Sequence, residues 1–191
     1  KANGVSTELD AINYYKMIDP NGARTTQSDW RRVNGFDDPR NQVVVVQGHK
    51  NTSDLGFWRR IDMVIDKRPG YLGNVAMTTY NFALGPQDSN PLGLSKCCSP
   101  ADAASIVNME YSPGPDGDRI TKFYIYDAAG QRKNSTFFDP VAARREELFL
   151  PNGCAACHGG GRDFTVRGGD TGGGFVAFDF NVFSYVGSNT T

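Results

Sequence analysis

The stretch Ile120-Thr121-Lys122-Phe123-Tyr124-Ile125-Tyr126 alternates with the two-residue period of a β-strand, and Asp127-Ala128-Ala129-Gly130 then turns the chain into Gln131 to Phe138. This hairpin decides the fold, because the segments before it repeat its character. Val107 to Tyr111 reads as extended, and Ser112-Pro113-Gly114-Pro115-Asp116-Gly117 as a loop. Asp116-Gly117-Asp118 is too short for a calcium loop and reads as a turn. Val75 to Leu84 and Phe57 to Asp66 are further strand candidates, the second with Trp58, Ile61, Met63 and Ile65. Gln42-Val43-Val44-Val45-Val46-Gln47 has no polar alternation, which predicts a buried strand. The expected class is α+β and strand-rich: a mainly antiparallel sheet with a few short helices.

The helices are sparse. Glu8 to Ile18 carries Leu9, Ile12, Tyr15 and Met17 at helical intervals, and Asp19-Pro20-Asn21-Gly22 stops it. Ser28 is the expected N-cap for Asp29 to Asn34, with Gly35 as the stop. Ser99-Pro100 opens a helix over Ala101 to Ile106, and Pro140 to Leu148 reads as a helix with a charged face. Residues 1–7 and 188–191 read as flexible tails, and residues 1–191 as one domain of ample length for a core. Trp30 and Trp58 are expected in that core.

Hydrophobic content of 39% is that of a globular chain, and 20 Lys plus Arg against 21 Asp plus Glu leave a formal charge of -1. Such a balance argues against nucleic acid or an anionic membrane surface as the main partner. No apolar run approaches a membrane-spanning length. A chain that begins at Lys1 suits a mature, processed protein.

Chemistry concentrates near the end, in Asn152-Gly153-Cys154-Ala155-Ala156-Cys157-His158-Gly159-Gly160-Gly161. Cys-x-x-Cys-His is the attachment pattern of c-type haem. On one helical turn, residues three and four apart share a face. Cys154 and Cys157 can then add to the two vinyl groups of one porphyrin while His158 gives the iron its proximal nitrogen. A thioredoxin-like pair would open a helix in a βαβ unit instead. A zinc knuckle would need two more ligands, and the only other thiols, Cys97 and Cys98, are adjacent and fan apart. One covalent haem c near the C-terminus is therefore the expected cofactor, and export to the periplasm or beyond follows, because such haem is attached outside the cytoplasm. In that setting Cys97-Cys98 is a disulfide candidate, a local vicinal bridge. Gly168 to Gly174 reads as a flexible loop, and Val176, Phe178, Phe180 and Val182 as a strand laying an apolar face on the haem or the core.

For a sixth iron ligand the chain offers His49, expected in a polar loop, and Met17, Met63, Met77 and Met109. The residues alone single out no methionine. Several segments together resemble a recurrent pattern: Tyr14-Tyr15, Ile18-Asp19-Pro20, Arg24-Thr25-Thr26, Asp29-Trp30, Asn34-Gly35-Phe36, Asp54-Leu55-Gly56-Phe57, Asn108 to Pro115, Lys122-Phe123-Tyr124, Leu150-Pro151-Asn152 and the attachment motif. The pattern is that of a poorly characterised family of exported bacterial single-haem cytochrome-like proteins. In that family Asp-Leu-Gly-Phe is followed by Gly-Arg-Asp-Met; here Trp58-Arg59-Arg60-Ile61-Asp62-Met63 carries extra residues before Asp62-Met63. The resemblance implies Met63 as distal ligand, with His49 the alternative, and sets Phe178 and Phe180 beside the haem.

Two functions follow as expectations. The first is an electron carrier that works with redox partner proteins, or by stacking of identical subunits into an oligomer or filament. The second is an enzyme with an open iron site acting on a small nitrogen or oxygen species. Hydroxylamine-oxidising cytochromes with a lysine-crosslinked haem are also β-rich with a late Cys-x-x-Cys-His, and Lys16, Lys50, Lys67 and Lys122 are the lysines available here. A sensor domain would share the open site but need an output module.

Overall fold

The computed structural model describes residues 6–51, 58–82, 99–137, 147–155, 157–161, 163–175 and 183–185, without the side chains of 46–51, 137 and 183–185. Among the described residues nine strands form around the hairpin: β1 (Val43–Asn51), β2 (Trp58–Ile65), β3 (Val75–Phe82), β4 (Ser105–Pro113), β5 (Arg119–Asp127), β6 (Arg132–Lys133), β7 (Ser135–Phe137), β8 (Glu147–Phe149) and β9 (Phe183–Tyr185). Seven of them make one antiparallel sheet in the order β6-β5-β4-β3-β2-β1-β9, and β7 and β8 pair separately. The helices are α1 (Glu8–Ile18), α2 (Gln27–Val33) and α3 (Asn152–Ala155). The α+β, strand-rich class is the observed one.

α1 has the bounds its sequence predicts, but it buries Ala11, Tyr14, Tyr15 and Ile18 and leaves Leu9 exposed. Its start is fixed by a capping box: the Thr7 hydroxyl accepts from the Asp10 amide, and the Asp10 carboxylate accepts from the Thr7 amide. Ser6 is buried and Thr7 is this cap, so neither belongs to a flexible tail; residues 1–5 and 188–191 lie outside the described residues. α2 begins two residues earlier than expected, because Thr26 rather than Ser28 accepts from the Asp29 amide.

Other expectations change for identifiable reasons. The expected buried strand, Gln42 to Gln47, is not buried at its centre: Val44 and Val45 are 49% and 41% exposed, and β9 pairs with His49, Lys50 and Asn51 farther along β1. The four valines report β-propensity, which an edge satisfies as well as a centre. β1 also runs on through His49, beyond an irregularity after Val46, so that residue stands in a strand and not in a loop. Only Pro100–Asp102 is helical after Ser99, as a single 3-10 turn; Ser105 already belongs to β4. Glu147 and Leu148 lie in β8 rather than in a helix, while the rest of the expected helix, 140–146, lies outside the described residues. β5 is buried on both faces over Thr121 to Tyr126, because α2 and the region around Cys154 and His158 cover opposite sides of it.

Cross-strand partners share a face, and successive residues alternate between faces. One face carries Asp62, Thr78, Asn108 and Tyr124 in a row and takes α2. There Gln27, Thr78 and Asn108 close a buried hydrogen-bonded ring at 3.0, 2.6 and 2.6 Å. On the same face Glu110 accepts from Arg24 at 3.0 Å, Asn34 at 2.8 Å and Ser112 at 2.8 Å, with the Lys122 ammonium 3.5 Å away. Burial alone would raise the Glu110 carboxyl, but Arg24 and Lys122 hold it below the ordinary range. α1 closes the outer edge of β5: the Tyr14 hydroxyl accepts from the Phe123 amide at 2.9 Å, and that of Tyr15 from the Ile125 amide at 3.2 Å. Among the described residues no helix is long and apolar enough to cross a membrane.

Candidate cofactor site

The Cys154 to His158 motif is held as a helical turn by its own backbone. Leu150, fully buried, binds through its amide to the Asn134 carbonyl at 3.0 Å and joins Pro151 by a cis peptide. The Pro151 carbonyl then accepts from Cys154 at 3.1 Å and Ala155 at 2.9 Å, and the Cys154 carbonyl from Cys157 at 3.2 Å and His158 at 3.1 Å. The Cys154 carbonyl thus ties Cys157 and His158 back to Cys154. Gly159 at φ +77° and Gly161 at φ +148° end it, as the glycine run predicts.

A strap returns along this turn. Gly161 donates to Thr171 at 3.0 Å, Gly174 donates to the His158 carbonyl at 2.9 Å, and the His158 ring nitrogen Nδ1 lies 3.0 Å from the Gly174 carbonyl oxygen. A carbonyl oxygen only accepts, so Nδ1 carries the proton, and in the neutral ring Nε2 is the acceptor nitrogen. This is the carbonyl support that orients a metal-binding imidazole. Gly168 to Gly174, expected to be flexible, is thus tied by hydrogen bonds. Two of the glycines here, one in the strap and one in the turn, have no room for a side chain. A Cβ on Gly173 would come 2.9 Å from the Phe123 ring, and one on Gly160 would come 2.6 Å from the Ala155 methyl group.

The two thiols differ. Cys154 is buried and Cys157 exposed, and they form no disulfide. Burial, with the Cys157 charge adding to it, pushes the Cys154 thiol up to about 12. Among the described residues no three His, Cys, Asp or Glu side chains gather in a way that would hold a bare metal ion. Two thiols and an imidazole strung along one turn are instead the donor set that one porphyrin uses, vinyl carbons and iron being set apart from each other. The residues present fit that group.

The site adjoins the sheet face opposite α2. The Phe123 ring packs against the His158 imidazole, centroids 5.4 Å apart. From Phe123 a row of cross-strand partners runs outward: Met109, Met77, Met63, Val44. The next row on this face is Thr121, Tyr111, Val75, Ile65. Its outer part is an open apolar platform, with Ile65 61% and Tyr111 39% exposed and Met63, Met77 and Val75 half-buried. Tyr14 and Phe164, rings edge to face at 5.5 Å, and buried Cys154 belong to the core shared with Phe123 and Met109.

The structure thus brings Cys154, Cys157 and His158 together, and Met63 shares their sheet face three strands from Phe123. His49 pairs with Arg59 and Tyr185 in β1. Phe178, Phe180, Cys97 and Cys98 lie outside the described residues. Sequence reasoning missed Phe123, the methionine row and the Gly174 carbonyl; registers and main-chain partners carry no local signal in the residue pattern. Lys122 is engaged elsewhere. Its ammonium donates to Ser112 at 2.9 Å and the Pro113 carbonyl at 2.7 Å, on the face away from His158. Comparison of the chain with protein-family models, with curated proteins and with solved structures returns no match.

Proposed function

We propose that the chain is an exported single-haem c-type cytochrome that carries electrons, delivered to and collected by redox partner proteins or passed along an oligomer or filament of identical subunits. The observation that carries this reading is the Cys154–Cys157–His158 turn, whose imidazole is oriented by a main-chain carbonyl and adjoins an apolar, methionine-bearing sheet face. A covalent haem supplies one-electron chemistry at its iron.

The chain's own residues do the rest. Cys154 and Cys157 give two sulfurs for thioether links, and His158 gives Nε2 as proximal donor. Gly174, accepting from Nδ1, makes that donor more basic and fixes its plane. Val75, Met77 and Tyr111 offer an apolar surface, which raises the cost of a net charge placed against it. The periplasm or the cell exterior is the proposed location, since this linkage is made there. The resemblance to exported bacterial single-haem cytochromes points the same way.

A reduced-minus-oxidised absorption spectrum of the protein made with haem-attachment machinery tests the role. A sharp low-spin spectrum unmoved by carbon monoxide is expected of a carrier. A shifted Soret band on exposure to carbon monoxide would overturn the carrier in favour of the open-site enzyme.

A further inference from the structure

On the reading just given, we infer that Met77 supplies the second axial ligand of the iron. The argument is one of register. Met109, Met77 and Met63 stand one, two and three strands from Phe123 in a single cross-strand row on the face that adjoins His158. At the usual strand spacing that puts them roughly 5, 10 and 14 Å from Phe123. A second ligand must lie near the imidazole yet reach open space.

Met109 meets only the first condition. It is 1% exposed and sealed into the core with Phe123 and Cys154. Met63 meets only the second. Asp62, bound by Arg31 at 3.1 Å and by Arg60 at 2.7 Å on the opposite face, pins β2 in register and holds Met63 at the far end of the row. Met77 meets both: it is half-buried, packed on one side against the core and open on the other. Its thioether is a soft donor of the kind haem iron accepts, and three rotatable bonds let it turn out of the sheet. A methionine in a strand that only fills space would leave the iron indifferent to its replacement, and this separates the two roles.

The test uses the haem-bearing protein and its Met77→Leu, Met63→Leu and Met109→Leu variants, with Met77→His as rescue. The readout is the weak far-red charge-transfer band of thioether-ligated ferric haem, with carbon monoxide binding to the ferrous form. The expected result is that Met77→Leu alone loses the band and gains carbon monoxide binding. Met77→His should restore a six-coordinate low-spin spectrum, without the band and at a lower reduction potential. A band that survives in Met77→Leu, that vanishes in Met63→Leu or Met109→Leu instead, or that is missing from the wild type overturns the inference. Denaturing extraction keeps the two readings apart. Colour that stays with the polypeptide leaves the covalent haem standing whatever the band does, and a polypeptide that never carries colour ends both.

Discussion

The His158 imidazole donates from Nδ1 to the Gly174 carbonyl at 3.0 Å, and the Gly174 amide donates back to the His158 carbonyl at 2.9 Å. This reciprocal pair makes the strap part of the site. Gly173→Ala would put a methyl group 2.9 Å from the Phe123 ring, so the strap must shift and carry Gly174 with it. The expected cost is about 1–3 kcal/mol in chemical unfolding, with a change in the His158 ring-nitrogen signals by NMR. Gly174→Ala is the control, because nothing lies within 4 Å of the Cβ it would add. Equal behaviour of the two variants would contradict the account.

The thiols of haem-free protein should react unequally. Cys157 is exposed, whereas Cys154 is buried with its thiol pushed up to about 12. At about pH 8 only about one Cys154 in 10⁴ is then thiolate. Peptide mass mapping after brief alkylation should find Cys157 modified and Cys154 intact until denaturant is added. Early modification of Cys154 would show the attachment turn to be built differently.

Removing one hydroxyl from α1 should loosen the sheet. Tyr14 is fully buried and its oxygen accepts from the Phe123 amide. Tyr14→Phe leaves that amide without its acceptor, at an expected cost of about 1–3 kcal/mol. Hydrogen exchange at Phe123 should quicken along with the loss of stability; unchanged protection there would contradict the edge-closing role.

Glu110 gives the fold a pH dependence with a definite sign. Despite burial, Arg24 and Lys122 hold its carboxyl below the ordinary range, so between that lowered value and the unfolded one the unfolded chain binds more protons. Stability from this group is complete above about pH 4.3, the ordinary Glu value, and drains away as pH falls through the folded value. Glu110→Gln should cost about 3–5 kcal/mol near neutral pH, by taking the buried carboxylate away from Arg24 and Lys122. The gap between variant and wild type should narrow as the solution is acidified below the ordinary carboxylate range. A gap that stays constant in thermal melts across that range would refute the assignment.

What the residue pattern disclosed was local. The bounds of α1, the turn after Tyr126 and the chemistry of Cys154, Cys157 and His158 each rest on neighbours within a few positions. The rest depends on distant partners. Val43 to Val46 looks interior because four β-branched residues fit any strand, and only the short reach of β9 leaves Val44 at an open edge. Gly168 to Gly174 looks loose because glycine composition is silent about main-chain bonds, yet Thr171 and Gly174 pin the strap to the attachment turn. The alignment of Met63, Met77, Met109 and Phe123 is a product of register over four strands, and single-strand patterns do not encode it.

The most direct measurement is made on protein purified from a host that attaches haem during export. After acid-solvent extraction and protease digestion, the account predicts that the pigment stays with the polypeptide and travels with the one peptide that contains Cys154 and Cys157, and that the Cys154→Ala, Cys157→Ala double variant releases it. A colourless native protein, or pigment that leaves the wild-type chain in the extraction, would contradict it.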